Sequence, residues 1–82
     1  MKVQKFGIKV MPREVILDTQ GRAVEQTLDL HHMPAKCRVG KFIELEIDLQ
    51  NIDEGAALER AEQIAKTLLC NPLIEKYQIE KI

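Results

Sequence analysis

The sequence predicts one small α+β domain, a βαββαβ two-layer sandwich with two helices on one face of a four-stranded antiparallel sheet. Three observations carry that expectation. Apolar and polar residues alternate with a period of two at both ends of the chain and in its middle. Two intervening segments carry helical stripes behind a capping residue. Pro12, Pro34, Pro72 and Gly40 stand at the junctions. The 82 residues leave room for a single domain spanning 1–82. A chain of this size buries only about three-fifths of its unfolded surface. So thin a core gains from association, and a homo-oligomer built from dimers is expected.

The first strand is read over Gln4–Met11, where Phe6, Ile8 and Val10 face one way and Lys5, Gly7 and Lys9 the other. Pro12 closes it by withholding a ladder donor. Asp18 is placed as the N-cap of a helix running to about His32, since its carboxylate accepts orphan amide protons and suits the positive end of the helix dipole. Val24, Leu28 and His31 form one stripe of that helix, with Ala23, Thr27 and Leu30 beside it. Gly21 weakens the first turn, which points to close approach or turn geometry.

The clearest pattern follows, over Cys37–Leu49: Ile43, Leu45, Ile47 and Leu49 alternate with Glu44, Glu46 and Asp48. Ahead of them, Arg38–Val39 is read as a short strand, and Gly40-Lys41 as a tight turn needing positive φ, together a β-hairpin. A second helix is expected behind Asn51, with Glu54 completing a capping box. Its stripe is Ala57, Ala61, Ile64, Ala65 and Leu68, whose small alanines permit close approach to a sheet. Asn71-Pro72 stops it. A last strand, Tyr77–Ile82, directs Tyr77 and Ile79 inward. This order is the split-βαβ, ferredoxin-like one, and it leaves the second sheet face bare, either polar or an interface.

Charge and composition exclude several functions. The net charge of −1 and the scattering of lysines among glutamates offer no phosphate-neutralising stripe, so no nucleic-acid partner is expected. No membrane-spanning run or signal-peptide core is visible, and a cytoplasmic location is expected. Cys37 and Cys70 read as small core residues without chemistry. Adjacent helical residues point about 100° apart, so His31 and His32 cannot ligate one metal as an i, i+4 pair does. The row Glu44, Glu46, Asp48 reads as a wet strand face. No catalytic, cofactor-binding or metal site is therefore expected. Lys41 beside Arg38 is either a solvated turn or a contact for an acidic or phosphorylated partner group, and the residues alone leave both open.

Three segments carry a family resemblance. Val15-Ile16-Leu17-Asp18-Thr19-Gln20-Gly21-Arg22-Ala23-Val24, Arg38-Val39-Gly40-Lys41-Phe42-Ile43-Glu44-Leu45 and Asn71-Pro72-Leu73-Ile74-Glu75-Lys76-Tyr77 resemble, in order and spacing, stretches of the PurS family, the small subunit of phosphoribosylformylglycinamidine (FGAM) synthase. Thr19 stands where that family usually has proline, which pre-organises a helix start, and Leu28–Lys36 departs from its usual connector. The resemblance implies a non-catalytic subunit for de novo purine biosynthesis. That subunit joins a glutaminase subunit to a large synthetase subunit and helps ammonia pass between them, with ATP and magnesium in the synthetase and no cofactor here. Arg38, Gly40, Lys41, Asn71 and Pro72 are the candidate partner contacts, and Asp18, Gln20 and Gly21 a candidate structural motif. Two other readings share the fold order. A regulatory module that binds a small metabolite at a dimer interface lacks its glycine-bearing loop, since Met11-Pro12-Arg13-Glu14 follows the first strand. An acylphosphatase-like enzyme lacks its Gly-rich phosphate cradle.

Overall fold

A computed structural model describes residues 2–82. Strand β1 spans Val3–Pro12, helix α1 Thr19–Leu30, strand β2 Lys41–Asp48, helix α2 Glu54–Ile64 and strand β3 Glu75–Lys81; a π-helical turn, Ala65–Leu69, continues α2. The long first strand is central. It pairs antiparallel with β2 on one side and β3 on the other, in the order β2-β1-β3.

The period-two reading of β1 holds: Phe6, Ile8 and Val10 are fully buried. They face α2, whose Ala57 and Ala61, with Ala65 of the π turn, are also fully buried. Phe6 and Ile47 pack on Ala57 and Ala61, while Ile8 and Val10 pack on Ala65 and Cys70. Ile43, Leu45, Leu49, Tyr77 and Ile79 close the edges of these clusters. Alanine is what lets the helix axis lie this near the sheet. The opposite face stays uncovered and mostly polar, with Lys5, Lys9, Glu44, Glu46, Gln78 and Glu80 exposed. Over Gly7 the Phe42 ring lies so close that a Cβ there would sit 2.5 Å from its Cζ.

The sheet has three strands, not the four expected. Arg38–Val39 forms no strand because its polar groups are engaged elsewhere. The Val39 amide donates to the Asp18 carboxylate at 2.7 Å, and the Arg38 guanidinium donates to the carbonyls of Pro12 and Arg13. Gly40 does not take positive φ, so there is no tight hairpin turn; the chain simply enters β2.

The helices also depart from the expected layer. Only α2 lies on the sheet. In α1 only Gly21 is buried, and the Cα radius of gyration is 16.5 Å, against about 12 Å for a compact chain of this length. Losing the second strand explains this, since α1 no longer has to return along the sheet to reach it. The helix ends two residues early in a Schellman-type cap: Met33 N–H donates to Leu28 O at 2.9 Å, His32 N–H to Asp29 O at 3.1 Å. His32 takes the left-handed conformation (φ 60°) usual for glycine there.

Two further expectations fail locally. The N-cap of α2 is Asp53, which accepts from Ala56 N–H at 2.8 Å, rather than Asn51. Leu68 leaves the buried stripe because the π turn rotates it out, to 75% exposure.

Candidate partner-contact site

The end of the sheet where β1 finishes and β2 and β3 begin gathers all three motif segments. Asp18 organises it. One carboxylate oxygen accepts from Gly21 N–H at 2.8 Å, capping α1, and the other accepts from Val39 N–H at 2.7 Å, tying down the connector that leads into β2. The Cys37 N–H donates to Glu25 Oε2 at 2.9 Å, a second tie from α1 to the same connector. Gly21 is a glycine because a Cβ would lie 2.5 Å from both Asp18 Oδ2 and the Cys37 carbonyl. That is the close approach foreseen for it.

The third segment joins through Arg13. Its Nε donates to Pro72 O at 2.9 Å and its N–H to Ile74 O at 2.9 Å. Asn71 and Glu75 cap one another: Asn71 N–H donates to Glu75 Oε1 at 2.8 Å, Glu75 N–H to Asn71 O at 2.7 Å. Asn71 Oδ1 also accepts from Leu73 N–H at 3.2 Å. Arg38 reaches Pro12 and Arg13 from the other side, so Arg38, Arg13 and Pro72 form one chain of contacts.

Between these segments lies an open groove of about 360 Å³ lined by Val10, Leu17, Asp18, Gln20, Lys41 and Glu75, among others. Gly40 is in its wall. The candidates therefore divide. The polar groups of Asp18, Arg38 and Asn71 are spent on holding backbone, and Gly40 is small because strand β1 passes beside it. The Lys41 ammonium takes part in no ion pair among the described residues, while its backbone belongs to the β1–β2 ladder opposite Val10. Exposed apolar side chains surround the same end: Val15, Leu17 and Leu73 each show more than 60% of their surface. Glu25 and Glu75 were not singled out from the sequence, and Arg13 was noted only for its place after the first strand, where an acylphosphatase-like enzyme carries an arginine. Glu75 had a legible signal, standing four residues after Asn71 where the two can cap a turn; Glu25 had none.

The electrostatics follow the hydrogen bonds. Asp18 is held below the ordinary carboxylate range, first by the bond from Gly21, then by that from Val39, against the opposing effect of burial. Glu14 is lowered mainly by the hydrogen bond from Lys76. Burial pushes the Cys70 thiol up, which suits an inert core residue. A carboxyl with a depressed native pKa contributes stability in full above its unfolded value of about 3.9 and loses it as pH falls through the native value. Asp18→Asn is therefore expected to fall less in thermal midpoint than the unaltered chain between about pH 6 and about pH 3. Melting curves across that range check this, and equal slopes would remove Asp18 from the acid response.

The family model for PurS, described as phosphoribosylformylglycinamidine (FGAM) synthase, matches residues 5–82. The chain belongs to the PurS family. Its relatives include the PurS subunit of phosphoribosylformylglycinamidine synthase from Thermotoga maritima, 32% identical over 84 residues and covering all of both chains. The Bacillus subtilis PurS subunit is 31% identical over 93% of this chain and 89% of its own. Among solved structures, the Thermotoga maritima PurS subunit superimposes with a TM-score of 0.88 at 30% identity, over 99% of this chain and 93% of that one. The PurS-type chain in the structure of PurLQS from Thermotoga maritima superimposes with a TM-score of 0.87 at 30% identity, over the whole of both. The PurS fold thus runs the full length of the chain, and no helix among the described residues is long and apolar enough to cross a membrane.

Proposed function

We propose that this PurS-family chain is the small, non-catalytic subunit of an FGAM synthase complex, docking a glutaminase subunit to a large synthetase subunit and supporting ammonia transfer between them. ATP and magnesium belong to the synthetase, and this subunit carries no cofactor. The observation that carries the reading is the division at the three-segment end. Its polar residues are consumed in making it rigid, while Val15, Leu17, Leu73 and Lys41 are exposed. A rigid, partly apolar platform on loops is what a docking surface requires. The related PurLQS structure supports the same reading.

The subunit is also a homo-oligomer on this reading. Helix α1 has 12 residues, a length that is marginal on its own in water, and Val24 and Leu30 stand exposed along it. A second copy supplies the cover.

Lys41→Ala tests the docking surface. The variant should fold normally. Glutamine-dependent turnover of the reconstituted complex is expected to drop about two- to fivefold, the scale of one exposed charge contact, with ammonia-dependent synthesis affected less. Unchanged assembly and turnover in both Lys41→Ala and Arg38→Ala would remove the basic contact. Failure of the tagged chain to co-purify with either larger subunit would overturn the docking role.

A further inference from the structure

The uncovered face of the sheet is unevenly charged. Residues paired across antiparallel strands share a face, and Lys9 pairs with Phe42 and Gln78 while Met11 pairs with Lys76. Lys9 and Lys76 therefore stand together on that face, toward the end where β1 finishes. The next row back, Glu44, Gly7 and Glu80, is acidic. Basic side chains thus gather at one end of a face in a chain whose net charge is −1.

At this basic end lies a cavity of about 370 Å³ that brings together Lys9 from β1, Lys76 from β3 and Arg38 from the connector, with Glu14, Met11 and Gln78 also in its wall. We infer that this cavity binds the phosphate group of a small phosphate monoester. The inference goes beyond the docking role and does not rest on it, since the site uses neither Lys41 nor the apolar residues Val15, Leu17 and Leu73.

Three cations share the cavity with one carboxylate, and that carboxylate is already engaged: Glu14 Oε1 lies 2.9 Å from Lys76 Nζ. The Lys9 ammonium has no ion pair among the described residues, although Glu44 and Glu80 stand diagonal to it. Lys9 and Lys76 are diagonal neighbours too, at about 7–8 Å in a ladder of this kind. Like charges at that spacing repel, and a dianion between them offsets the repulsion.

Arg38 is the oriented member of the three. Only its Nη2 is spent on backbone, donating to the carbonyls of Pro12 and, at 3.0 Å, of Arg13. Those two bonds fix the guanidinium and leave Nε and Nη1 without a hydrogen bond among the described residues. A guanidinium set in place beforehand loses less freedom when an oxyanion arrives, and its bonds to phosphate are of the strong, charge-assisted kind.

The geometry favours phosphate over carboxylate. A phosphate monoester presents three acceptor oxygens and close to two negative charges at neutral pH, which suits cations arriving from three separate segments. The cavity falls within the range of about 300–1,000 Å³ for small-molecule sites, more room than one phosphate group needs. Met11 and the Gln78 amide are left to meet the organic part.

An NMR titration of the full-length chain at constant ionic strength tests this. Glycerol 3-phosphate should shift the amides of Lys9, Lys76 and Gln78 saturably, with a dissociation constant on the order of 1 mM. Inorganic phosphate should compete at the same amides, and glycerol should do nothing. Lys9→Gln removes a charge that holds no ion pair in the chain, so the variant should fold normally and bind about fivefold or more weakly. Lys5→Gln removes a charge from the same face outside the cavity and should keep affinity within about twofold. Equal losses in the two variants would mark diffuse attraction and overturn the site, as would shifts that never saturate. Saturable binding of inorganic phosphate with the monoester excluded would overturn the assignment of the ligand class.

Discussion

Phe6→Ala is expected to destabilise the isolated chain by about 3–5 kcal/mol, the range for truncating a buried phenylalanine. Phe6 is 1% exposed, on the central strand, packed on Ile47, Ala57 and Ala61. The alanines of α2 have no side chain to spare for refilling the space, so little of the cavity can collapse. Small domains hold only about 5–15 kcal/mol in total, so the variant should be largely unfolded at physiological temperature. Circular dichroism melts check this, with Lys5→Ala as a control; Lys5 has only an exposed ion pair at 3.5 Å to Glu44, and surface changes of that sort cost about 0.5 kcal/mol or less. A cooperative melt of Phe6→Ala close to that of Lys5→Ala would show that the core does not depend on this ring.

Gly40→Ala is expected to cost about 1–3 kcal/mol, the scale of forcing an extra carbon into a packed site. A Cβ at Gly40 would lie 2.2 Å from Met11 Sδ and 2.3 Å from the Val10 carbonyl oxygen. The methionine can move; the carbonyl belongs to the central strand and cannot move without disturbing its ladder. The strain falls where the connector enters β2, so the damage should spread to the three-segment end. Denaturant melts give the stability loss, and hydrogen exchange at Val39 and Cys37 should rise while exchange at Ile8 changes only with global stability. Unaltered stability would show that the Val10 carbonyl gives way without disturbing the ladder, and would remove the need for glycine here.

Both substitutions bear on what could be read without coordinates. Burial of Phe6, Ile8 and Val10 was legible because a strand alternates faces every residue, whatever packs upon it. The cap at Asp18 and the alanine stripe of α2 were legible for the same reason: each is decided within about one turn of chain. Gly40 was legible as a special position and misread in kind. A glycine before a strand ordinarily signals a turn with positive φ, and only the neighbouring strand reveals that the need is for space. Asn51 and Asp53 offered competing caps two residues apart, and the choice of Asp53 depends on where α2 must start to lay its alanines on Phe6 and Ile47.

Local pattern thus determined by itself the types of the helices and the three strands that form, the buried face of β1 and β2, the start of α1 behind Asp18, and the three motif segments that mark the PurS family. Tertiary structure decided the strand number, the departure of α1 from the sheet, and the meeting of Asp18, Arg38 and Asn71-Pro72 at one end. The reason is physical. A strand of two residues is worth little to the chain, and Arg38 and Val39 can satisfy their polar groups equally well in a sheet ladder or on Asp18, Pro12 and Arg13. No local preference separates those outcomes; the choice rests on partners some 20 or more residues away in sequence, at Asp18 for Val39 and at Pro12 and Arg13 for Arg38.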